Sequence, residues 1–117
     1  MNGNSADEGG AIHSNEELKI IESTLNDNKA NAWGGAIYNF NDLDIVECGL
    51  DKNSANYGGA IYNEGARLKV KGSEFGDNIA DYGGAIYLRN YFDRESEYEF
   101  EDCVFTSNKP DDVFEKE

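Results

Sequence analysis

The chain has 117 residues, with 24 acidic side chains against 10 basic ones and a formal net charge of −14. That balance argues against nucleic acid, whose phosphates need clustered Lys and Arg, and equally against anionic membrane surfaces. Hydrophobic residues make up 38%, below the usual globular share, yet seven Tyr, six Phe and one Trp set the chain apart from disordered sequences, and no apolar run is long enough to insert into a membrane.

Taken from the start, residues 1–8 carry neither a basic region nor an apolar stretch, so they do not read as a secretory leader. The chain is a fragment, or is exported by a signal elsewhere, or stays inside the cell. The tetrapeptide Gly-Gly-Ala-Ile then occupies residues 9–12 and returns at 34–37, 58–61 and 83–86, in steps of 25, 24 and 25. Between the copies runs a second motif with fixed internal offsets. Leu18-x-Ile20 leads to Ser23-x-Leu25-x-x-Asn28, and Leu43-x-Ile45 to Cys48-x-Leu50-x-x-Asn53. Leu68-x-Val70 leads to Ser73-x-Phe75-x-x-Asn78, and Tyr98-x-Phe100 to Cys103-x-Phe105-x-x-Asn108. An Ala stands two residues beyond the first three of these asparagines, at Ala30, Ala55 and Ala80. Pro110 replaces it in the fourth copy, where the pattern is read to stop.

Each unit alternates apolar and charged residues with period two and is cut every few residues by Gly, Asn or Asp, which favours short strands and leaves no room for a helix of useful length. Repeats of this length stack. The expected fold is all-β: a right-handed, single-stranded parallel β-helix, a solenoid of about four coils of 24–25 residues over residues 1–112. Residues 113–117 follow as an acidic C-terminal tail or cap, with Val113 and Phe114 folded over the last coil.

Stacking in register turns equivalent residues into columns. Leu18, Leu43, Leu68 and Tyr98 form one inward column; so do Ile20, Ile45, Val70 and Phe100; Leu25, Leu50, Phe75 and Phe105; and Ile12, Ile37, Ile61 and Ile86. Asn28, Asn53, Asn78 and Asn108 read as a corner ladder whose amides bond along the stack. The Gly pair allows positive φ or a tight turn without a Cβ clash. Tyr38, Tyr62 and Tyr87 above His13, and Trp33, Tyr57 and Tyr82, form aromatic columns, read as packing rather than binding. Outside, Lys19, Asp44, Lys69 and Glu99 alternate in sign, whereas Glu22 on Glu47 repels. Cys48 and Cys103 share a column with Ser73 between them. At two coils, about 9.6 Å, they are too far apart for a disulfide, which needs Cα atoms within about 7 Å.

The largest insertion lies between Ile86 and Tyr98. With Arg89, Tyr91, Phe92 and Arg94 it is the candidate contact loop.

The two motifs together resemble the repeat of the chlamydial polymorphic outer membrane proteins, found also in adhesin-like surface proteins of other bacteria and archaea. The resemblance covers about residues 4 to 108. It implies a structural or adhesive repeat module of a cell-surface or secreted protein, at an extracellular location, with a host or matrix protein or glycan as partner. The β-helix also hosts enzymes, so the alternative is a carbohydrate-binding or polysaccharide-cleaving module of the pectin-lyase-like type.

The residues offer little else. No carboxylate pair stands out from the repeat, so no catalytic residue is assigned. His13 is alone and the cysteines lack metal-ligand spacing, so neither a metal nor a cofactor is expected; calcium at Asp93 and Glu95, or at Asp111 and Asp112, would be weak. The N-terminal edge, without a cap, is the expected point of end-to-end self-association.

Overall fold

The computed structural model describes residues 3–14, 17–40, 42–64, 67–89 and 97–116. Among these there is no helix, and every sheet pairing is parallel. The chain starts with β1 (Ser5–Glu8), β2 (Ile12–Ser14), β3 (Leu18–Ile21) and β4 (Lys29–Trp33). It continues through β5 (Ile37–Asn39), β6 (Leu43–Val46), β7 (Gly49–Asp51), β8 (Ile61–Glu64) and β9 (Arg67–Lys71). It ends with β10 (Glu74–Gly76), β11 (Ile86–Arg89), β12 (Glu97–Glu101), β13 (Val104–Thr106) and β14 (Val113–Lys116). A first sheet runs β14-β11-β8-β5-β2, a second β12-β9-β6-β3, a third β13-β10-β7, and β1 pairs with β4. Thr24 extends the third sheet by a bridge to Gly49. The result is a β-solenoid of about four turns.

The register is the one the repeat requires. Leu43 pairs with Leu18 and Leu68, and Leu68 with Tyr98. Ile37 pairs with Ile12 and Ile61, and Ile61 with Ile86. A one-residue slip would turn every apolar side chain outward, so the alternation fixes the register. Ile37, Leu43, Ile45, Leu50, Ile61, Leu68, Val70, Phe75 and Ile86 are wholly buried.

Three corners turn the chain between sheets, and each uses left-handed backbone. Glu22, Glu47, Gly72 and Asp102 form one positive-φ column, with φ from 49° to 60°. Asp27, Lys52, Asp77 and Ser107 form a second, with φ from 54° to 58°. Gly9, Gly34, Gly58 and Gly83 form the third, with φ from 59° to 69°. In the Gly-Gly pair the two residues have separate jobs. The first takes positive φ. The second passes so close to the next coil that a Cβ on Gly59 would run into the Gly84 carbonyl oxygen.

Val113–Lys116 is β14, the fifth strand of the first sheet, and Val113 packs against the core. Val113 pairs with Ile86, and Phe114 with Tyr87. The spiral continues past Pro110: the Lys109 carbonyl accepts from the Ala80 N–H, and the Asp112 carbonyl from the N–H groups of Ala85 and Ile86. Asn108 to Val113 is five residues (113 minus 108) where Asn78 to Ile86 is eight (86 minus 78), so the arc is shortened and not abandoned.

The two ends differ. Ile12, Leu18 and Ile20 in the first coil are partly exposed, although their neighbours one coil up are wholly buried. In the last coil Tyr98 and Phe100 replace the smaller Leu68 and Val70, and Phe105 stacks on Phe75 at 5.1 Å. The last-coil rings touch each other, at centroid distances of 5.4 Å for Tyr98–Phe100 and 5.7 Å for Phe100–Phe105.

Candidate functional site

The asparagine ladder lies where the repeat places it, at the corner between the third sheet and the β1–β4 side. Asn28, Asn53, Asn78 and Asn108 are all buried. The side-chain oxygen of Asn78 accepts from the backbone N–H and the side-chain amide of Asn53, at 2.8 and 3.0 Å. Asn108 does the same for Asn78, at 3.0 and 2.9 Å. The amides of Asn53, Asn78 and Asn108 also donate to the carbonyls of Leu25, Leu50 and Phe75. Each interior asparagine thus ties its own corner to the coils on both sides. Asn4 extends the ladder downward by donating to Asn28.

A second, shorter ladder escaped the sequence reading. Asn39 and Asn63 are wholly buried, and the Asn39 amide donates to the Asn63 side-chain oxygen at 2.6 Å. The available signal was period two: both residues stand two positions after a core isoleucine and so face inward.

Of the contact-loop residues, Tyr91, Phe92 and Arg94 lie outside the described residues. Arg89 ends β11, is exposed, and hydrogen-bonds the Tyr62 phenol, which raises the pKa of the guanidinium. It is therefore tied to the outer surface of the first sheet.

That surface is aromatic. Tyr38 and Tyr62 stack at 5.2 Å and 10°, Tyr62 and Tyr87 at 5.2 Å and 7°, and Tyr87 and Phe114 at 5.3 Å and 19°. His13 meets Tyr38 edge-on at 4.9 Å, and Phe40 packs edge-on against both. The second column folds against the first. Tyr57 and Tyr82 stack at 5.4 Å, Trp33 leans on Tyr38 and Tyr62, Tyr57 meets Tyr87 edge-on, and Tyr82 touches Phe114. The two columns therefore form one continuous surface across all five strands. The stacked rings lie face to face along the solenoid axis, and Tyr62 and Tyr87 are buried within the ladder. A sugar ring that stacks on an aromatic face would find those faces already covered by neighbouring rings.

The phenols are held protonated. Burial, with the hydrogen bond that Tyr38 donates to a Glu64 carboxylate oxygen at 2.7 Å, raises the Tyr38 pKa well above the usual phenol range. Burial, reinforced by the Glu64 charge and partly offset by Arg89, pushes Tyr62 up to about 12. Burial also raises Tyr87. At the edge of this surface Tyr82 is 48% exposed and Ile79, three residues earlier on the same corner, is 56% exposed.

The other singled-out groups have structural partners. Cys48 is free and buried, Cys103 free and partly buried. Cys48 Sγ bonds the Val46 carbonyl, two residues back, as Ser23 and Ser73 Oγ bond Ile21 and Lys71. The Asp51 carboxylate accepts from the Gly76 N–H. Asp111 accepts from the N–H groups of Gly83 and Gly84, and Asp112 from the Asn108 amide. Asp93 and Glu95 lie outside the described residues. Among the described residues no three His, Cys, Asp or Glu side chains gather as a metal site.

The family model of the Chlamydia polymorphic membrane protein repeat matches residues 22–39 and 50–64. Both matches run through the same arc, from the third sheet past the ladder asparagine and the Gly-Gly pair into the first sheet. No curated protein and no solved structure matches.

Proposed function

We propose that this chain is the repeat module of a cell-surface protein and acts by adhesion, as a rigid shaft whose outer side makes the contacts. The observation that carries the reading is the agreement of the polymorphic membrane protein repeat with the coil itself. The matched residues are the ones that build the buried ladder and the Gly-Gly corner, so the match reports architecture of the kind a surface shaft needs. In this reading the chain performs no catalysis and takes no cofactor. Its net charge of −14 keeps it off nucleic acid and anionic lipid, and its partner is a protein or glycan of a host surface or matrix.

The contact patch we assign is the corner bearing Ile79 and Tyr82. Both are large apolar side chains exposed to water, and rigid exposed aromatics anchor protein contacts at low entropic cost. The test compares the wild-type chain with the doubly substituted I79S/Y82S chain for binding to cultured host cells and to immobilised matrix. Loss of the Tyr82 stack on Tyr57 should cost about 0.5–1.5 kcal/mol, so binding is compared at a temperature where both chains are folded, and retention should fall several-fold. Equal retention by the two chains would remove this corner from the contact surface. Failure of the wild type to bind any such surface would contradict the adhesive reading.

A further inference from the structure

We propose that the aromatic ladder of the first sheet is a one-electron relay, which carries an oxidising equivalent from the exposed Tyr82 ring to Tyr38, where the Glu64 carboxylate takes the phenol proton. The relay goes beyond the adhesive reading and is independent of it.

The first observation is the continuity of oxidisable rings. Tyr82 is 48% exposed and stands open to an oxidant in water. From it the rings follow in contact: Tyr82 to Tyr57 at 5.4 Å, Tyr57 to Tyr87 at 5.3 Å, Tyr87 to Tyr62 at 5.2 Å and Tyr62 to Tyr38 at 5.2 Å. Trp33 lies 6.0 Å from Tyr38 and 6.1 Å from Tyr62, so the last step has a second route through an indole. Phenol and indole lose one electron far more readily than the phenyl ring of Phe. Electronic coupling falls steeply with separation, so rings in contact pass the electron vacancy in short steps. Where packing alone is needed, the fold uses phenylalanine, as in the core stack of Phe75 on Phe105.

The second observation gives the relay a direction. Losing an electron makes a phenol a strong acid, so the vacancy settles where the proton has an acceptor. The Tyr38 hydroxyl donates to a Glu64 carboxylate oxygen at 2.7 Å, within reach of direct proton transfer. Tyr62 has the opposite partner: its phenol is hydrogen-bonded by the Arg89 guanidinium, and a cation there opposes a positive vacancy on the ring. The Arg89 charge also acts on Tyr87. Tyr87 and Tyr62 therefore pass the vacancy on, and Tyr38 keeps it. Overall the oxidant gains one electron, Tyr38 loses one electron and its phenol proton, and the Glu64 carboxylate gains that proton. The product is a neutral tyrosyl radical hydrogen-bonded to a carboxylic acid, and the rings between end as they began.

The third observation is shelter. Tyr38 is partly buried, stacked on Tyr62 with His13 and Phe40 edge-on. A radical there is kept from meeting one on another copy. A radical left on the exposed Tyr82 would couple with another into dityrosine and cross-link the chains.

The full chain is oxidised with the azidyl radical, a one-electron oxidant that leaves azide. The tyrosyl radical is read by electron paramagnetic resonance after freeze-quenching, and dityrosine at Tyr82 by peptide mass mapping. Tyr38→Phe keeps the ring and Glu64→Gln keeps an acceptor oxygen, so both chains should melt near the wild type. Tyr98→Phe is the control, since Tyr98 is 46% exposed and its ring contact is Phe100, outside the ladder. The wild type should hold a persistent tyrosyl signal. In Y38F and in E64Q that signal should fall several-fold and dityrosine at Tyr82 should rise several-fold, whereas Y98F should match the wild type in both. A wild type without a persistent tyrosyl signal overturns the proposal. So does a wild-type signal in Y38F, which would place the radical elsewhere, or in E64Q, which would remove Glu64 as the proton acceptor. Loss of the signal in Y98F also overturns it, by assigning the radical to a ring outside the ladder.

Discussion

Asn53 shows what a single residue does in this fold. Its side chain donates to the Leu25 carbonyl below and to Asn78 above, and its oxygen accepts from Asn28. Asn53→Ala leaves buried groups on both neighbouring coils without partners and should cost about 1–3 kcal/mol. Lys52→Ala, one residue earlier and exposed, should stay within about 0.5 kcal/mol. Equal urea midpoints for the two would contradict an inward ladder. Glycines give a second contrast. Gly59→Ala drives a methyl into the Gly84 carbonyl and should prevent the coil from closing. Gly49→Ala, in β7 with positive φ not required and its nearest neighbour at 3.9 Å, should be neutral or stabilise by about 0.4–1 kcal/mol through the unfolded chain. The phenols set the alkaline limit. A tyrosine whose folded pKa lies above its unfolded value of about 10 contributes stability that is complete below pH 10 and lost as pH rises through the folded value. Tyr62, at about 12, and Tyr38, higher still, should therefore ionise late, and unfolding should accompany them. Phenolate absorbance that rises in one step near pH 10, with the fold intact, would contradict the burial of these rings.

At the scale of elements, the core strands were legible because equivalent positions recur at fixed offsets, so each column could be checked against four copies. Leu18-x-Ile20 and its counterparts named β3, β6, β9 and β12, and the following Leu or Phe named the third sheet. Two features were hidden for physical reasons. The left-handed corners at Glu22, Asp27, Glu47, Lys52, Asp77, Asp102 and Ser107 carry polar residues in place of the expected glycine, because tertiary hydrogen bonding to the next coil imposes the conformation. The Glu47 N–H, for instance, donates to the Lys71 carbonyl. β14 was hidden because its arc is three residues shorter and opens with Pro110, which reads as a stop. Sequence also left the aromatic columns as two separate lines; their fusion into one surface depends on a corner angle that no spacing encodes. The cysteine column was legible, and it supplies a test. Cys48→Ser places there the residue already found at Ser23 and Ser73, with the same bond to the carbonyl two residues back, so the melting midpoint should change little. The unfolded, unreduced protein should titrate two free thiols. One disulfide in their place would require backbone movement that the stack does not allow.

For the whole molecule, stability should be uneven along the axis. Each coil touches only its neighbours, so middle coils are held from both sides and end coils from one. Ile12, Leu18 and Ile20 keep solvent contact that Ile37, Leu43 and Ile45 lack. Amides of β3 should therefore exchange with solvent faster than those of β6 and β9, and equal protection would mean that something covers the N-terminal face. The central claim is the in-register parallel stack, and nuclear Overhauser spectroscopy on this 13.0 kDa chain addresses it most directly. The stack requires inter-strand backbone contacts linking Leu43 to Leu68 and Ile45 to Val70, both 25 residues apart, and Ile37 to Ile61, 24 apart. Sequence separation must stay constant along each strand pair. Contacts whose separation falls by two with each step along a strand, as in an antiparallel hairpin, would contradict the fold and every inference built on it.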